Sequence, residues 1–266
     1  VFEDMAAALN YLDTAPIPTV IKADGLALGK GVLIPNNFAE AEDAVRSIME
    51  DKVFGDSGSR VIIEELERIH SHLLWLGVAC HIVGHDSMFM LIWDEREIVM
   101  DMLEKLSGNR VNYAMVTIGG ARRDVDDDLR RELLDMCDKL QKPMDRLVEL
   151  ALNDKTLAMR TKGVGVLTTE DAIRLGAVGP HARASGVDID VRRDAPYSSY
   201  EDFEFSVPVQ TSCDVYARVV VRVLEIYESI KIIRQAIDNL PEGPINLGVK
   251  MPKVPAGQFI ARHEAP

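Results

Sequence analysis

The residues able to do chemistry fall into a few groups along this 266-residue chain. Lys22 sits in Val20-Ile21-Lys22-Ala23-Asp24-Gly25-Leu26-Ala27-Leu28-Gly29-Lys30-Gly31-Val32, where a strand delivers a lysine and a loop with three glycines leads to another strand. Lysines supply positive charge to phosphates, and glycines let backbone N–H groups approach them. The string is not a P-loop, because no helix follows Gly29-Lys30. Glu64-Glu65 closes the next strand-like run. His70 and His72, two apart, cannot share a helix face and read as buried, hydrogen-bonded packing residues. His81 and His85, four apart, could share one, but Gly84 between them marks a helix end. Arg122-Arg123-Asp124 and Arg192-Arg193-Asp194 have the form of charge networks bracing loops. Cys80, Cys137 and Cys213 form no C-x-x-C pair and read as small buried hydrophobes of a reducing compartment.

The elements that must position these groups change character near residue 66. Before it, Thr19-Val20-Ile21, Gly31-Val32-Leu33-Ile34 and Val61-Ile62-Ile63 read as strands, and Asn37 can cap a helix from Phe38 to about Asp51. After it, helical periodicity dominates. Helices are predicted from Ile69 to about Gly84, from Phe89 to about Leu106, from Asp126 until Pro143 kinks or ends it, over Thr169 to about Leu175, and from Asp214 to about Leu240. Met88, Met90, Met100, Met102 and Met115 read as core filler. The expected fold class is α+β. A small β-rich unit over residues 1–65 surrounds the Lys22 loop, and a predominantly helical body covers 66–266.

An apolar fraction of 47% and a charged fraction of 27% are those of a globular protein. The net charge of −13 repels nucleic acid and anionic lipid, so neither is expected as a partner. No run of eighteen apolar residues occurs, so no direct membrane span is expected. Val1-Phe2-Glu3-Asp4 has neither the basic start nor the apolar core of a signal peptide, and a start without Met fits a fragment or a processed product.

Two resemblances follow from longer strings. The Lys22 string, with Phe54-Gly55-Asp56-Ser57-Gly58-Ser59-Arg60-Val61-Ile62-Ile63-Glu64-Glu65, resembles the ATP-grasp domain of phosphoribosylamine–glycine ligase. That resemblance implies that Lys22 contacts ATP phosphates, that Gly29, Lys30 and Gly31 form the mobile lid, and that Glu64 and Glu65 border the adenine pocket. It stops at Glu65, before the ribose contact and the magnesium ligands that phosphoryl transfer needs.

The second resemblance runs through Glu65-Leu66-Glu67-Arg68-Ile69-His70-Ser71-His72-Leu73-Leu74-Trp75-Leu76-Gly77, Ser107-Gly108-Asn109-Arg110-Val111-Asn112-Tyr113, and Ile118-Gly119-Gly120-Ala121-Arg122-Arg123-Asp124. It continues in Gly179-Pro180-His181-Ala182-Arg183-Ala184-Ser185-Gly186, Asp190-Val191-Arg192-Arg193-Asp194 and Glu228-Ser229-Ile230-Lys231-Ile232-Ile233-Arg234-Gln235. This order of motifs resembles the large subunit of energy-converting nickel–iron hydrogenases and its counterpart in complex I (NADH:quinone oxidoreductase), a quinone-binding family. Asn109 to Tyr113 favours the hydrogenase branch. The resemblance implies a nickel–iron centre held by two C-x-x-C pairs, both absent here, so no cofactor is expected on this chain alone. It also implies a small iron–sulfur subunit and membrane-arm subunits as partners, in a cytoplasmic complex on the inner face of the cell membrane. His70, His72, Arg122, Arg123, Arg192 and Arg193 are the candidate interface residues.

Cys213 stands where that family has glycine before Asp214, at a helix entry where a positive φ is needed. Three functions remain open: a redox-complex subunit, an ATP-dependent ligase of purine synthesis, and a scaffold or artificial join of two genes. Val61-Ile62-Ile63-Glu64-Glu65-Leu66 satisfies both families at once, so a join could hide there.

Overall fold

The computed structural model describes residues 5–12, 21–22, 32–33, 37–49, 57–240, 243–246, 257–258, 260 and 262–264. In the N-terminal part, α1 (Met5–Leu12) packs with α2 (Phe38–Met49), and β1 (Ile21–Lys22) pairs antiparallel with β2 (Val32–Leu33). Asn37 caps α2 as expected, its Oδ1 accepting from the Glu40 amide at 2.9 Å. The buried apolar side chains described here are Ala8, Leu12, Ala41 and Val45.

The body is helical. Four long helices make its core: α3 (Ser57–Ile82), α4 (Asp86–Ser107), α5 (Asp127–Asn153) and α10 (Val215–Asp238). Helix α3 packs against both α4 and α10, and α5 lies against α4 and α10. A three-residue turn with Gly84 at φ +76° folds α4 back along α3. Ile62, Leu66, Ile69, Leu73, Leu76 and Cys80 of α3 recur at helical spacing and are all buried. Each fully buried leucine or isoleucine contributes about 1.5–3 kcal/mol. Truncating Leu73 to alanine removes roughly 2–5 kcal/mol and leaves a cavity.

Between these helices the chain makes a small hairpin, β3 (Val116–Thr117) and β4 (Gly120–Ala121), and four short helices. They are α6 (Lys155–Thr161), α7 (Thr169–Arg174), α8 (Gly179–Arg183) and α9 (Val191–Asp194). Asp126, Asp154, Thr168, Asp190 and Asp214 each accept an amide at the start of the helix that follows.

Three expectations are corrected. Val61-Ile62-Ile63 is not a strand, because α3 begins at Ser57 and runs through residue 65. Three β-branched residues favour a strand locally, but Ile62 begins the buried stripe and tertiary packing overrides the preference. Helix α5 continues past Pro143, with Leu140, Met144 and Leu147 buried on both sides of the missing backbone bond. Met90 is 65% exposed, whereas Met88, Met100, Met102 and Met115 lie in the core. Cys213 does adopt a positive φ, +63°, in keeping with its position at the entry to α10.

Candidate functional site

Polar residues stripe two core helices at matching intervals. Glu65, Arg68 and His72 sit at i, i+3 and i+7 of α3; Arg222, Glu225 and Ser229 repeat that spacing on α10. Both stripes face the interior, and all six residues are buried. Arg183 at the end of α8, Asp190 and Arg192 at the start of α9, and Glu264 complete the set.

The contacts form one network. Arg192 Nη1 donates to both oxygens of Glu65, at 3.1 and 3.0 Å, and its Nη2 donates to Asp190 at 2.7 Å. Glu65 also accepts from the Tyr200 hydroxyl at 2.6 Å and the Ser229 hydroxyl at 2.5 Å, with Arg68 Nε at 3.3 Å. Arg183 Nε donates to Glu225 at 2.6 Å, and its Nη2 donates to Glu264 at 2.8 Å. His72 Nε2 donates to the other oxygen of Glu225 at 2.6 Å; a carboxylate only accepts, which fixes the tautomer. Buried charges survive only when paired and hydrogen-bonded in this way.

The electrostatics follow from this pairing. Burial alone would raise Glu65, but Arg192 and Arg68 hold it down to about 2. Burial also pushes Glu225 up, yet the hydrogen bond from His72 and the charge of Arg183 outweigh it and leave this carboxyl far below the usual range. Burial lowers His72 to about 4 against the pull of Glu225, so the imidazole is neutral at pH 7. Four carboxylates therefore touch three guanidiniums. Arg222 supplies a fourth positive charge without an ion pair to any residue described.

Beside this network lies a cleft of about 330 Å³. Ser71, His72 and Trp75 of α3 form one wall and Arg222 of α10 another, with Val178, His181 and Glu264 around the opening. The Arg222 guanidinium stacks 3.9 Å above the Trp75 ring, and burial lowers its pKa to about 10, which keeps it charged.

The residues singled out from sequence are distributed unevenly. Lys22 is in β1, while Gly29, Lys30 and Gly31 lie outside the described residues. Glu64 is half-buried on α3, and burial raises its pKa. Glu65 commits its carboxylate to Arg192, Tyr200 and Ser229 of the body. His70 is half-buried against Arg96 and is lowered to about 4 by burial and by that cation. Arg192 and His72 are inside the network. Arg193 is exposed and braces the loop through Asp188 at 2.8 Å and Asp194 at 2.7 Å. Arg122 and Arg123 do not brace their loop: both are exposed, and neither forms an ion pair among the described residues. The Arg123 guanidinium instead lies over Gly108, whose φ of +79° ends α4.

His81 pairs with Asp86 at 2.7 Å and His85 with Asp154 at 3.3 Å, each a separate contact. Arg183, Asp190, Arg222, Glu225 and Glu264 escape the sequence reading as site residues. The signal that could have found α10's members is the polar spacing of Arg222, Glu225 and Ser229 within an otherwise apolar helix.

A network that joins residues from most of the resemblance motifs defines a redox-complex large-subunit class of fold. Residues 83–265 match the family described as respiratory-chain NADH dehydrogenase, 49 Kd subunit, and the chain belongs to that family. It is 42% identical over 222 residues to the membrane-bound hydrogenase subunit alpha of Pyrococcus furiosus, covering 78% of this chain and 52% of that protein. It is 39% identical over 208 residues to the carbon monoxide-induced hydrogenase of Rhodospirillum rubrum, covering 78% and 57%. It is 43% identical over 188 residues to an NADH-quinone oxidoreductase subunit of Geobacter metallireducens, covering 70% and 48%. The chain thus spans about half the length of the curated relatives it matches. Residues 1–73 match the phosphoribosylglycinamide synthetase ATP-grasp (A) domain.

The cysteines present do not fit a nickel–iron centre. Such a centre needs thiolates, and burial pushes the Cys80 and Cys137 thiols up to about 11.

Proposed function

We propose that this chain is part of the large subunit of a membrane-associated redox complex of the nickel–iron hydrogenase or NADH:quinone oxidoreductase type. The observation that carries the reading is the buried network. Motifs far apart in the sequence, which resemble that family one by one, meet through Glu65, Arg183, Arg192 and Glu225. The chain itself supplies a rigid scaffold, not the metal. Its partners are a small iron–sulfur subunit and, through the complex, membrane-arm subunits at the inner face of the cell membrane. No helix among the described residues is long and apolar enough to cross a membrane, so attachment runs through those partners. Arg122, Arg123 and Arg193 present exposed cations to the small subunit, with His70 beside Arg96 nearby on α3. His72 and Arg192 act from within, by holding the helices that carry the surface.

Residues 1–65 form, in this reading, a piece of ATP-grasp origin joined to the helical body. The match to the Pyrococcus protein covers 78% of the 266 residues, so it begins no later than about residue 60, close to the start of α3 at Ser57. Lys22, Lys30 and the loop glycines keep weak phosphate affinity at most, because Glu65 is already engaged by the body. A ligase is not favoured on that ground.

The test is co-expression of the chain with the iron–sulfur subunit encoded beside it, followed by affinity capture and elemental analysis. A stable complex with iron but no nickel on this chain is expected. Stoichiometric nickel on the purified chain, together with hydrogen–deuterium exchange from D2, overturns the reading.

A further inference from the structure

We propose that the cleft between α3 and α10 is a carboxylate-binding site in which Arg222 clamps a single carboxylate group. The site stands independently of the redox reading.

Arg222 is only 5% exposed, yet the guanidinium has one hydrogen bond among the described residues, from Nη1 to the Arg218 carbonyl at 3.2 Å. A guanidinium carries five N–H donors in a planar fork, and burying them unpaired is costly. The nearest carboxylates are already used. Glu225 holds Arg183 on one oxygen and His72 on the other, and Glu264 holds Arg183 through both of its oxygens. The remaining donors of Arg222 therefore face the cleft that this residue lines.

The surroundings select the ligand. Trp75, Val178, Pro180 and Val191 give the cleft apolar walls, which strengthen any charge interaction inside it. Positive potential is felt across it, since Arg222 and Arg218 add to burial in lowering the pKa of His181. The neutral His181 ring has an N–H available to a second oxygen. A carboxylate matches the guanidinium fork with two parallel bonds. A dianion such as phosphate brings a second negative charge close to Glu225 and Glu264, which disfavours it. The source is either a free small acid or a glutamate side chain on a polypeptide.

The test uses Trp75 as its reporter. In the full chain carrying Trp93→Phe, Trp75 is the sole tryptophan, because the sequence has two. Sodium acetate is titrated against sodium chloride at equal ionic strength, and N-acetylglutamate amide forms a second arm. A saturable change in Trp75 emission with acetate and not with chloride is expected. Arg222→Lys, which keeps the charge but loses the fork, should weaken binding roughly tenfold or more. Val178→Glu, at a residue 72% exposed on the rim, leaves the core untouched and should weaken binding by placing a competing carboxylate at the opening. Acetate binding with exclusion of the glutamate amide identifies a free acid; tighter binding of the amide identifies a side chain. Superimposable acetate and chloride titrations overturn the site, as does an acetate response unchanged in both variants with intact far-UV circular dichroism.

Discussion

The helical body and the N-terminal part of this chain are built on different scales. From Ile62 to Leu240, thirty buried apolar residues form one continuous cluster, with a buried ionic network running along its α3–α10 seam. In the N-terminal part, the described cluster is Ala8, Leu12, Ala41 and Val45, with Leu9 against it. A core of small residues supplies little burial energy, whereas the body holds enough apolar area to fix four long helices and still accommodate charges. The difference shows where the chain can tolerate change: the body's specificity rests on charges that each have one place to go.

The largest expected effect breaks that network. Arg192→Met leaves Glu65 and Asp190 buried without their main partner and should cost about 3–5 kcal/mol in urea unfolding. Val45→Ala in the small cluster should leave the body's midpoint where it is. Equal losses from the two substitutions would erase the distinction between the regions.

The next effect is on pH. His72 is held at about 4 in the folded chain against an ordinary 6.5, so the unfolded chain binds the extra proton. Its contribution is fully present above pH 6.5 and is lost as pH falls from 6.5 toward 4, on the order of 1–3 kcal/mol. His70 shifts in the same direction. Glu65, held at about 2 against 4.5, adds stability above pH 4.5 that disappears between 4.5 and 2. Unfolding free energies measured from pH 8 to 4 should therefore decline in two stages, and His72→Gln should flatten the first.

A smaller effect concerns the entry to α10. Cys213→Gly relieves a non-glycine residue at φ +63° and should stabilise the chain by about 1 kcal/mol, read as a raised urea midpoint. The smallest concerns independence of the parts. Residues 57–266 alone should unfold within about 0.5 kcal/mol of the full chain, as expected for regions that share no energetic partner.

Much of the fold is legible in the residue pattern alone. The caps at Asn37, Asp126, Thr168 and Asp214 identify helix starts, because an acceptor side chain before an apolar stripe has a direct physical role there. The buried, hydrogen-bonded character of His72 follows from its two-residue offset from His70. Val61-Ile62-Ile63 misleads, because three β-branched residues carry a strand preference that only long-range packing reverses. Pro143 misleads for a related reason: the packing of Leu140 and Met144 is not visible in a local rule. The network itself is only half legible. Glu65 and Arg192 are 127 residues apart, and nothing local says that they meet.

The most direct test of the functional reading is a titration of the full chain against the iron–sulfur subunit of its own complex at two salt concentrations. Saturable one-to-one binding is expected, weakened by salt and by the double reversal Arg122→Glu with Arg123→Glu, while the unfolding midpoint of that variant stays unchanged. A folded chain that shows no binding, or binding indifferent to both salt and the reversal, would contradict it.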